Sequence, residues 1–321
     1  MSEGADRLRP DWSALPLLLR ARIVDAIGGR FVGDLPAQSG FSASYAGVVT
    51  TTRGKAFVKA CARDWHVDSL RLLRAEMRVL AMLPPLIAPG VLSAVDEPVG
   101  AALVLEAIEG RHPGTPWAED DLHAIAESLR ILSTTIAPPD LVGAADSMLP
   151  DFTRWSEIAG DERLHDGLPV DLRDRLPELA RIESGFRNAV SGEVLVHDDV
   201  RADNILILDG RARLLDWPHA RRGAPWIDLP CLLPSIEASG GPRCEDAWPL
   251  FEEHGAPPMR EMLPVVAGFA SYLWYEQAQP EIAQLPGLRA FQRAQAIPAL
   301  RWLAALLSDV HEPAASSPGT L

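Results

Sequence analysis

The sequence contains very few cysteines and very few lysines. Its three cysteines are widely spaced and form no CxxC pair, so neither a disulfide framework nor a zinc site is expected. Lysine is rarer still, because only Lys55 and Lys59 are lysines among the 30 basic residues. A residue type this rare invites a specific reason at each position. For Lys55, next to Gly54 in a turn, no such reason is apparent.

Basic charge is also scarce compared with acidic charge. The chain has 44 acidic residues against 30 basic ones, which gives a net charge of −14. Nucleic acids and anionic membranes select basic surfaces, so neither is expected as a partner. The acidic balance is compatible with a small-molecule substrate that carries a positive charge.

Long apolar runs are missing as well. The stretch at residues 14–19 contains Pro16 and is followed by Arg20, so it is too short to cross a membrane. No signal-peptide pattern opens the sequence, and a cytoplasmic location is expected. With 321 residues, of which 47% are hydrophobic, the chain can form a globular protein of two lobes. A monomer or a homodimer is expected.

The most informative stretch runs from Val194 to Trp217. An apolar run leads to His197, which is followed by Asp199 and, five residues later, by Asn204. An acidic surface turn between two strands is one interpretation of these residues. A site built from their side chains is the other.

A tight β-hairpin is predicted directly after Asn204. Asp209-Gly210 is a two-residue turn signal flanked by apolar strands. If the hairpin forms, Asn204 lies opposite Leu215 and beside Asp216. Carboxylate and amide oxygens brought together in this way suit Mg²⁺, which binds few protein ligands and completes its shell with substrate phosphates.

The pattern His-x-Asp-x4-Asn, followed twelve residues later by Asp, resembles the catalytic loop and metal-binding aspartate of the protein-kinase-like phosphotransferases. It is most similar to the aminoglycoside phosphotransferase family of small-molecule kinases, in which an Asp-Trp pair such as Asp216-Trp217 is typical. The resemblance covers about Gln38 to Leu233. It implies an α+β, protein-kinase-like bilobal fold, with a small antiparallel β lobe that has one main helix, and a larger, mostly helical lobe.

Local sequence signals and this resemblance together predict a division of the chain. An N-terminal helical extension is expected at 1–30, and a small nucleotide-binding lobe at 31–106. The large helical lobe, with the catalytic loop and the substrate site, is expected at 107–310. A disordered tail is expected at 311–321.

Local signals predict the helices. A helix over 14–27 is expected to start at Ser13 as its cap, and Asp68-Ser69 is expected to cap a helix that ends near Met82. Further helices are predicted over the segments 177–191, 263–277, 288–295 and 298–310.

Glu76 lies in the second of these helices, among apolar neighbours. The residues three and four positions away are Leu72, Leu73, Val79 and Leu80. A buried carboxylate without a cation is unfavourable, and Lys59, at the end of the preceding strand, is the obvious partner. A Lys59–Glu76 ion pair is the favoured interpretation, and a neutral, protonated Glu76 is the alternative.

The resemblance assigns roles to five residues. Asp199 is the catalytic residue that accepts the proton of a substrate hydroxyl or orients that hydroxyl. Asn204 and Asp216 hold Mg²⁺ on the phosphates of ATP (or GTP). Lys59 positions the phosphates, and Glu76 fixes Lys59.

Five further residues are assigned to nucleotide binding by their position. Ser39, Gly40 and Ser42 lie in the loop before the second strand, where backbone N–H and hydroxyl groups can bind phosphate oxygens. Glu106 and Ile108 lie in the segment after the last strand, where family members bind the adenine edge through backbone groups.

His197, Arg201 and Asp228 are assigned to structural support. His197 is expected to brace the catalytic loop, and Asp228 is expected to cap a helix or to brace the same loop. Asp198 replaces a glycine that is usual in small-molecule kinases, and its side chain is expected to crowd the loop. A metabolite kinase of the same fold, acting on choline, homoserine or a sugar, and a non-catalytic nucleotide-binding pseudokinase are the alternative functions.

Overall fold

A computed structural model describes residues 10–37, 43–83, 85–114, 116–282 and 285–309. They form two compact units, each made of several chain segments. The first contains the described residues of Met1–Ile131, His197–Ala220 and Glu281–Pro286. The second contains those of Leu132–Val196, Arg221–Pro280 and Gly287–Leu321. In the described part of the chain no helix is both long and apolar enough to cross a membrane.

The strands, in chain order, are β1 (Phe31–Pro36), β2 (Tyr45–Thr51), β3 (Gly54–Ala62), β4 (Val91–Glu97), β5 (Gly100–Glu106), β6 (Val194–Val196), β7 (Ile205–Leu208), β8 (Arg211–Leu214) and β9 (Arg221–Gly223). The α-helices are α1 (Leu17–Ile27), α2 (Val67–Leu80), α3 (Glu119–Thr134), α4 (Ala144–Ser147), α5 (Trp155–Gly160), α6 (Val170–Arg173), α7 (Leu176–Glu183), α8 (Phe186–Val190), α9 (Asp228–Ala238), α10 (Cys244–Glu253), α11 (Leu263–Gln277) and α12 (Leu288–Asp309). This mixture confirms the predicted α+β class.

The first unit is built on a five-stranded antiparallel sheet. The order of its strands is β1-β2-β3-β5-β4, so β3, which carries Lys59, lies in the centre. A central strand is hydrogen-bonded on both sides and holds a functional side chain more rigidly than a loop does.

Helix α1 covers one face of this sheet. Its residues Leu19 and Ile23 are fully buried and share a core with Val58 of β3 and Val104 of β5. Successive residues of a strand face opposite sides, so Lys59 lies on the other face. The N-terminal helix thus closes the back of the sheet and leaves the Lys59 face to other elements.

The predicted starts of two helices are wrong. The first helix begins at Leu17, after Pro16, and not at Ser13, because proline disfavours the helical conformation of the residue before it. The cap of α2 is His66 instead of Asp68-Ser69. The Nδ1 atom of His66 accepts a hydrogen bond from the backbone N–H of Ser69 at 3.2 Å.

The hairpin predicted after the catalytic loop is confirmed. Strand β7 pairs with β8 in the expected register, with Leu208 opposite Arg211. Asp209 and Gly210 have φ angles of 50° and 70°, which are the left-handed conformations that a type I′ turn requires. The two-residue signal therefore fixes which side chains reach the open end of the hairpin.

The second unit is mostly helical, and two of its predicted helices are corrected. The segment 177–191 forms two helices, α7 and α8, which are separated at Gly185 because glycine has a low helical propensity. The segments 288–295 and 298–310 form the single helix α12, which continues through Pro298. Ala296 and Ala299, on either side of this proline, are buried.

The helix predicted over 263–277 is confirmed as α11. The hairpin of β7 and β8 belongs to the first unit, together with the antiparallel sheet. The lobe boundary proposed at residues 106 and 107 stays a prediction.

A buried carboxylate lies in the helical core of the second unit. Glu183, in α7, is 4% exposed. It accepts hydrogen bonds from the backbone N–H of Trp155 at 3.1 and 3.2 Å and from the hydroxyl of Ser271 at 3.0 Å. Burial raises the pKa of Glu183 to about 7, and these hydrogen bonds offset only part of the rise.

This shift predicts a pH-dependent stability. The pKa of Glu183 rises from 4.5 to about 7 on folding, so its contribution to stability is fully present below about pH 4.5 and is lost as the pH rises through about 7. The wild-type protein should lose about 3 kcal/mol of unfolding free energy from this group by about pH 9. Glu183→Gln should remove that loss in urea unfolding measured at several pH values.

Glu162→Gln, which changes an exposed carboxylate, is the control and should keep the wild-type pH dependence. An equal loss of stability with rising pH in the Glu183→Gln variant would contradict the prediction.

Candidate active site

Lys59 and Glu76 form the predicted ion pair. The Nζ atom of Lys59 lies 2.7 and 2.8 Å from the two carboxylate oxygens of Glu76. The side chain of Glu76 is 3% exposed, and that of Lys59 is 19% exposed. A contact with both oxygens favours the ion pair over a neutral Glu76. Solvent reaches this pair through its lysine.

Lys59 also binds Asp216, a contact that the sequence did not predict. Its Nζ atom lies 2.7 Å from Oδ1 of Asp216, whose side chain is 40% exposed. Burial acts to raise the pKa of Asp216, but the charge of Lys59 outweighs it and lowers the pKa to about 2. Asp216 is therefore an ionised carboxylate that solvent reaches.

The pKa values of Lys59 and Glu76 depend on the same two effects, burial and the charge of neighbouring groups. Burial acts to lower the pKa of Lys59, but the carboxylates of Asp216 and Glu76 raise it above its ordinary value. Burial raises the pKa of Glu76, and Lys59 opposes that rise. The backbone N–H of Trp217 also donates to Oε1 of Glu76, at 3.3 Å. Glu76 is thus held by a side chain and by the backbone next to Asp216.

Asp199 lies on the loop between β6 and β7. Its Oδ1 atom accepts a hydrogen bond from Nη1 of Arg201 at 3.0 Å, and its Oδ2 atom accepts one from Nδ2 of Asn204 at 3.1 Å. Burial raises the pKa of Asp199 to about 7, although Arg201 opposes that rise. A quarter of the side chain, 25%, is exposed. Two donors thus orient a carboxylate that remains accessible to a small molecule.

Asn204 is fixed by its backbone and by its side chain. Its carbonyl oxygen accepts the N–H of Leu215 at 2.8 Å, which confirms that it lies opposite this residue. Its Nδ2 atom donates to the carbonyl oxygen of Asp199 at 2.9 Å as well as to Oδ2. Because the nitrogen of the amide is turned toward Asp199, the amide oxygen is the atom that could bind a metal ion.

His197 makes the contacts expected of a residue that braces the loop. It is fully buried, its Nε2 atom lies 2.9 Å from the carbonyl oxygen of Leu215, and its Nδ1 atom accepts the N–H of Asp199 at 3.2 Å. Its ring lies 4.3 Å from that of Trp217. Burial lowers the pKa of His197 to about 4, so the neutral ring donates through Nε2 and accepts through Nδ1.

Two residues of the site have left-handed backbone conformations. Asp198 has a φ angle of 63°, and Asp216 has one of 67°. Aspartate tolerates this conformation better than most residues because its short side chain can hydrogen-bond locally. The conformation of Asp198 explains how an aspartate can stand where glycine is usual.

The segment after β5 is anchored to the rest of the first unit. The N–H of Glu106 donates to the carbonyl oxygen of Gly90 at 2.8 Å, so this N–H is not available to a ligand. The carboxylate of Glu106 lies 3.7 Å from the guanidinium of Arg213, in β8. Arg111 and Ile207 exchange two backbone hydrogen bonds, of 3.0 and 2.7 Å, just beyond Ile108. The backbone N–H of Glu106 is thus excluded as a donor to the nucleotide base.

Four predicted residues remain. Ser39, Gly40 and Ser42 lie outside the described residues. Asp228 belongs to the second unit and is 5% exposed. The predicted helix cap at Asp228 is wrong, because Ile227 is the N-cap of α9. Support of the catalytic loop by Asp228 stays a prediction.

Asn204 and Asp216 fit the requirements of Mg²⁺. This ion usually takes one or two carboxylates from the protein and completes its shell with waters and phosphates. An ionised, partly exposed carboxylate and an amide oxygen supply such a pair of ligands. Among the described residues no group of three or more histidine, cysteine or acidic side chains could hold a metal ion. The chemistry of the donor set therefore favours a metal that arrives together with phosphates.

Three solved structures share the fold of this chain. The choline kinase LicA from Streptococcus pneumoniae has a TM-score of 0.58 at 15% identity, over 89% of this chain and 98% of that one. A microcompartment-associated aminopropanol kinase has a TM-score of 0.56 at 15% identity, over 91% and 98%. Spectinomycin phosphotransferase, solved with ADP and spectinomycin, has a TM-score of 0.54 at 12% identity, over 92% and 94%. No curated protein sequence matches the chain significantly.

The family relationship is established by the sequence as a whole. The phosphotransferase enzyme family matches residues 35–265, which is more than half of the chain. The matched stretch contains Lys59, Glu76, the loop from His197 to Asn204, and Asp216. The bilobal, protein-kinase-like fold expected from the resemblance is confirmed by the similar structures. The chain belongs to the phosphotransferase enzyme family and is a small-molecule kinase with a hydroxyl acceptor.

Proposed function

We propose that the protein transfers the γ-phosphoryl group of ATP to a hydroxyl group of a small molecule in the presence of Mg²⁺. The observation that carries this proposal is the double contact of Lys59 with Glu76 and Asp216. It creates a fixed positive charge beside an ionised carboxylate that solvent reaches. Such a pair of charges suits a phosphate chain that carries a metal ion.

Four residues would act on the nucleotide. Asn204 and Asp216 would hold Mg²⁺, which neutralises charge on the phosphate oxygens when it is bound. The ammonium group of Lys59 would bind the phosphates through charge-assisted hydrogen bonds. Glu76 would keep that ammonium group on the correct face of the sheet.

Asp199 would act on the acceptor. Its carboxylate would accept the hydrogen bond of the substrate hydroxyl and align that oxygen with the γ-phosphorus atom. The hydroxyl proton would move to Asp199 as the new P–O bond forms and the bond from the γ-phosphorus atom to the bridging oxygen breaks, which releases ADP. Little covalent chemistry is asked of the protein in such a transfer, so positioning and electrostatic stabilisation would supply most of the acceleration.

The nucleotide base would lie next to β3. Phe57 stands two residues before Lys59 and therefore on the same face of the sheet, where it is partly exposed. An aromatic ring there suits stacking on a planar base. The carbonyl group of Glu106 and the N–H of Ile108 would bind the edge of the base. Nucleotide use is supported by the AMP and ADP complexes of two similar proteins. ATP is proposed first, and GTP is the alternative.

The acceptor is proposed to be an alcohol with a positive charge. The catalytic loop carries Asp198 and Asp203 in addition to Asp199, and the chain as a whole has a net charge of −14. Two of the similar proteins are named as kinases of choline and aminopropanol, which are both alcohols with a cationic nitrogen. Assays of ADP formation with amino alcohols, aminoglycosides and neutral sugars would distinguish a metabolite kinase from an antibiotic-modifying enzyme. No ADP formation with any acceptor, or with water alone, would favour the pseudokinase.

Replacement of Asp199 should stop turnover and spare nucleotide binding. Asp199→Asn keeps the size of the side chain but removes its negative charge, so kcat should fall by roughly 10³-fold. The Kd of Mg·ADP should stay within about threefold, because the proposed nucleotide ligands are other residues. Phosphoryl transfer and calorimetric titration measure the two quantities. Asp209→Asn, in the hairpin turn, is the matched control, since asparagine tolerates the left-handed conformation equally well. Lost ADP affinity with retained turnover would refute the assigned role.

Replacement of Asp216 should abolish the contribution of magnesium to nucleotide affinity. In the wild-type protein Mg²⁺ should strengthen ADP binding, and Asp216→Asn should reduce this gain by about tenfold or more because a charged ligand is lost. Titrations of ADP with and without Mg²⁺ measure the gain directly. Asp140→Asn, on an exposed loop, should leave it unchanged. A full magnesium effect in Asp216→Asn would show that another residue holds the ion.

The two lysines allow a matched test of the buried pair. Lys59→Met leaves Glu76 buried without its cation, so it should destabilise the protein by about 3 kcal/mol and raise the KM for ATP by about tenfold or more. Lys55→Met removes an exposed pair with Glu109 and should leave stability almost unchanged, because exposed ion pairs contribute little.

The double variant Lys59→Met with Glu76→Met separates stability from function. It removes both charges, so urea unfolding should show most of the lost stability restored. The KM for ATP should remain high, because the phosphate ligand is still missing. Recovery of nucleotide affinity together with stability would count against a direct role for Lys59.

A further inference from the structure

Arg201 lies between two carboxylates of the same loop. Its Nε and Nη2 atoms contact the two oxygens of Asp203, at 2.9 and 3.3 Å. Its third nitrogen, Nη1, donates to Oδ1 of Asp199 at 3.0 Å. All three nitrogens of the guanidinium group are therefore engaged, two on one side and one on the other.

The side chains of Arg201, Asp199 and Asp203 differ in how far they are exposed. Arg201 is 17% exposed, Asp199 25% and Asp203 40%. The side chain of Arg201 is thus the least exposed of the three. A pair of similar geometry elsewhere, between Arg163 and Asp161, has an arginine that is 89% exposed. Arg201 lies within the site, whereas Arg163 lies on the surface.

The Asp199 carboxylate is oriented by two hydrogen-bond donors, one on each oxygen. The terminal torsion of aspartate is broad and roughly two-fold, so one hydrogen bond leaves its two oxygens poorly fixed. Asn204 donates a hydrogen bond to Oδ2 of Asp199, and Arg201 donates one to Oδ1. The second donor completes the orientation of the carboxylate. The bond from Asn204 alone would leave its plane free to turn.

Arg201 needs an anchor of its own, because its side chain is long and flexible. A side-on contact of two nitrogens with one carboxylate fixes the plane of a guanidinium group, which a single hydrogen bond does not. Asp203 supplies that contact. The order of dependence therefore runs from Asp203 through Arg201 to Asp199.

We propose that Arg201 and Asp203 are positioning residues that set the orientation of the Asp199 carboxylate toward the acceptor hydroxyl, and that Asp203 acts only through Arg201. This inference rests on the proposed function, in which Asp199 meets the acceptor. It assigns Asp199, Arg201 and Asp203 to alignment of the acceptor hydroxyl. Asn204 and Asp216 are assigned to the nucleotide.

A double-mutant cycle tests the proposed order. Arg201→Met, Asp203→Asn and the double variant are compared with the wild-type protein, with kcat measured for the best acceptor of the substrate panel, or for water if none is found. Arg201→Met should lower kcat by about 100-fold, and Asp203→Asn by about tenfold. The double variant should equal Arg201→Met, since Asp203 has no effect without its arginine. The Kd of Mg·ADP should stay within about threefold throughout.

Two further measurements separate positioning from a general loss of structure. Arg201→Ala should regain at least about tenfold of its activity when a low millimolar concentration of guanidinium chloride is added, because the free ion can occupy the same place between the two carboxylates. The variants Arg163→Met and Asp161→Asn remove the pair of similar geometry in the second unit and should leave kcat unchanged.

Several results would overturn the inference. Effects of Arg201→Met and Asp203→Asn that multiply in the double variant would mean that Asp203 acts independently. A loss of Mg·ADP affinity in parallel with kcat, without rescue by guanidinium, would mean that the loop has collapsed. A wild-type protein that neither transfers phosphate nor hydrolyses ATP would refute the proposed function itself, before any variant is compared.

Discussion

The ion pair between Lys59 and Glu76 is the interaction on which the rest of the first unit depends. A carboxylate that is 3% exposed is unfavourable in a core unless a cation reaches it, and one of the two lysines of the chain does so. The pair fixes α2 against the central strand β3. It also holds the ammonium group at the position where Asp216 meets it. The same buried charge therefore stabilises the sheet and prepares the nucleotide side of the site.

The catalytic loop holds several negatively charged side chains close together. Asp198, Asp199 and Asp203 lie within six residues of one another, and Asp216 acts on the pKa of Asp199 as well. Arg201 offsets part of this repulsion from inside the loop. His197 contributes no charge, because burial keeps its ring neutral. The loop is thus braced by a neutral ring and balanced by one guanidinium group.

Most of the correct predictions from the sequence came from local patterns. The Asp209-Gly210 turn fixed the register of its hairpin, and the apolar neighbours of Glu76 identified a buried carboxylate and so its partner. The contact between Lys59 and Asp216 was missed because it joins residues 157 positions apart, and neither has a pattern that requires the other. Helix starts were misjudged where a side chain such as that of His66 competed successfully as a cap. Backbone recognition near Ile108 leaves no residue signature at all.

The N-terminal helix has a consequence for where this protein can be divided. The family matches residues 35–265, yet Leu19 and Ile23 of α1 lie before that stretch and fill the core behind β3. A fragment cut at the family boundary would expose the apolar side chains of Val58 and Val104, on the face of the sheet opposite Lys59. The stretch that defines the family by sequence therefore leaves out a helix that packs in the core of the first unit. To keep this core intact, a fusion to this chain should be joined upstream of Trp12, which belongs to the same cluster.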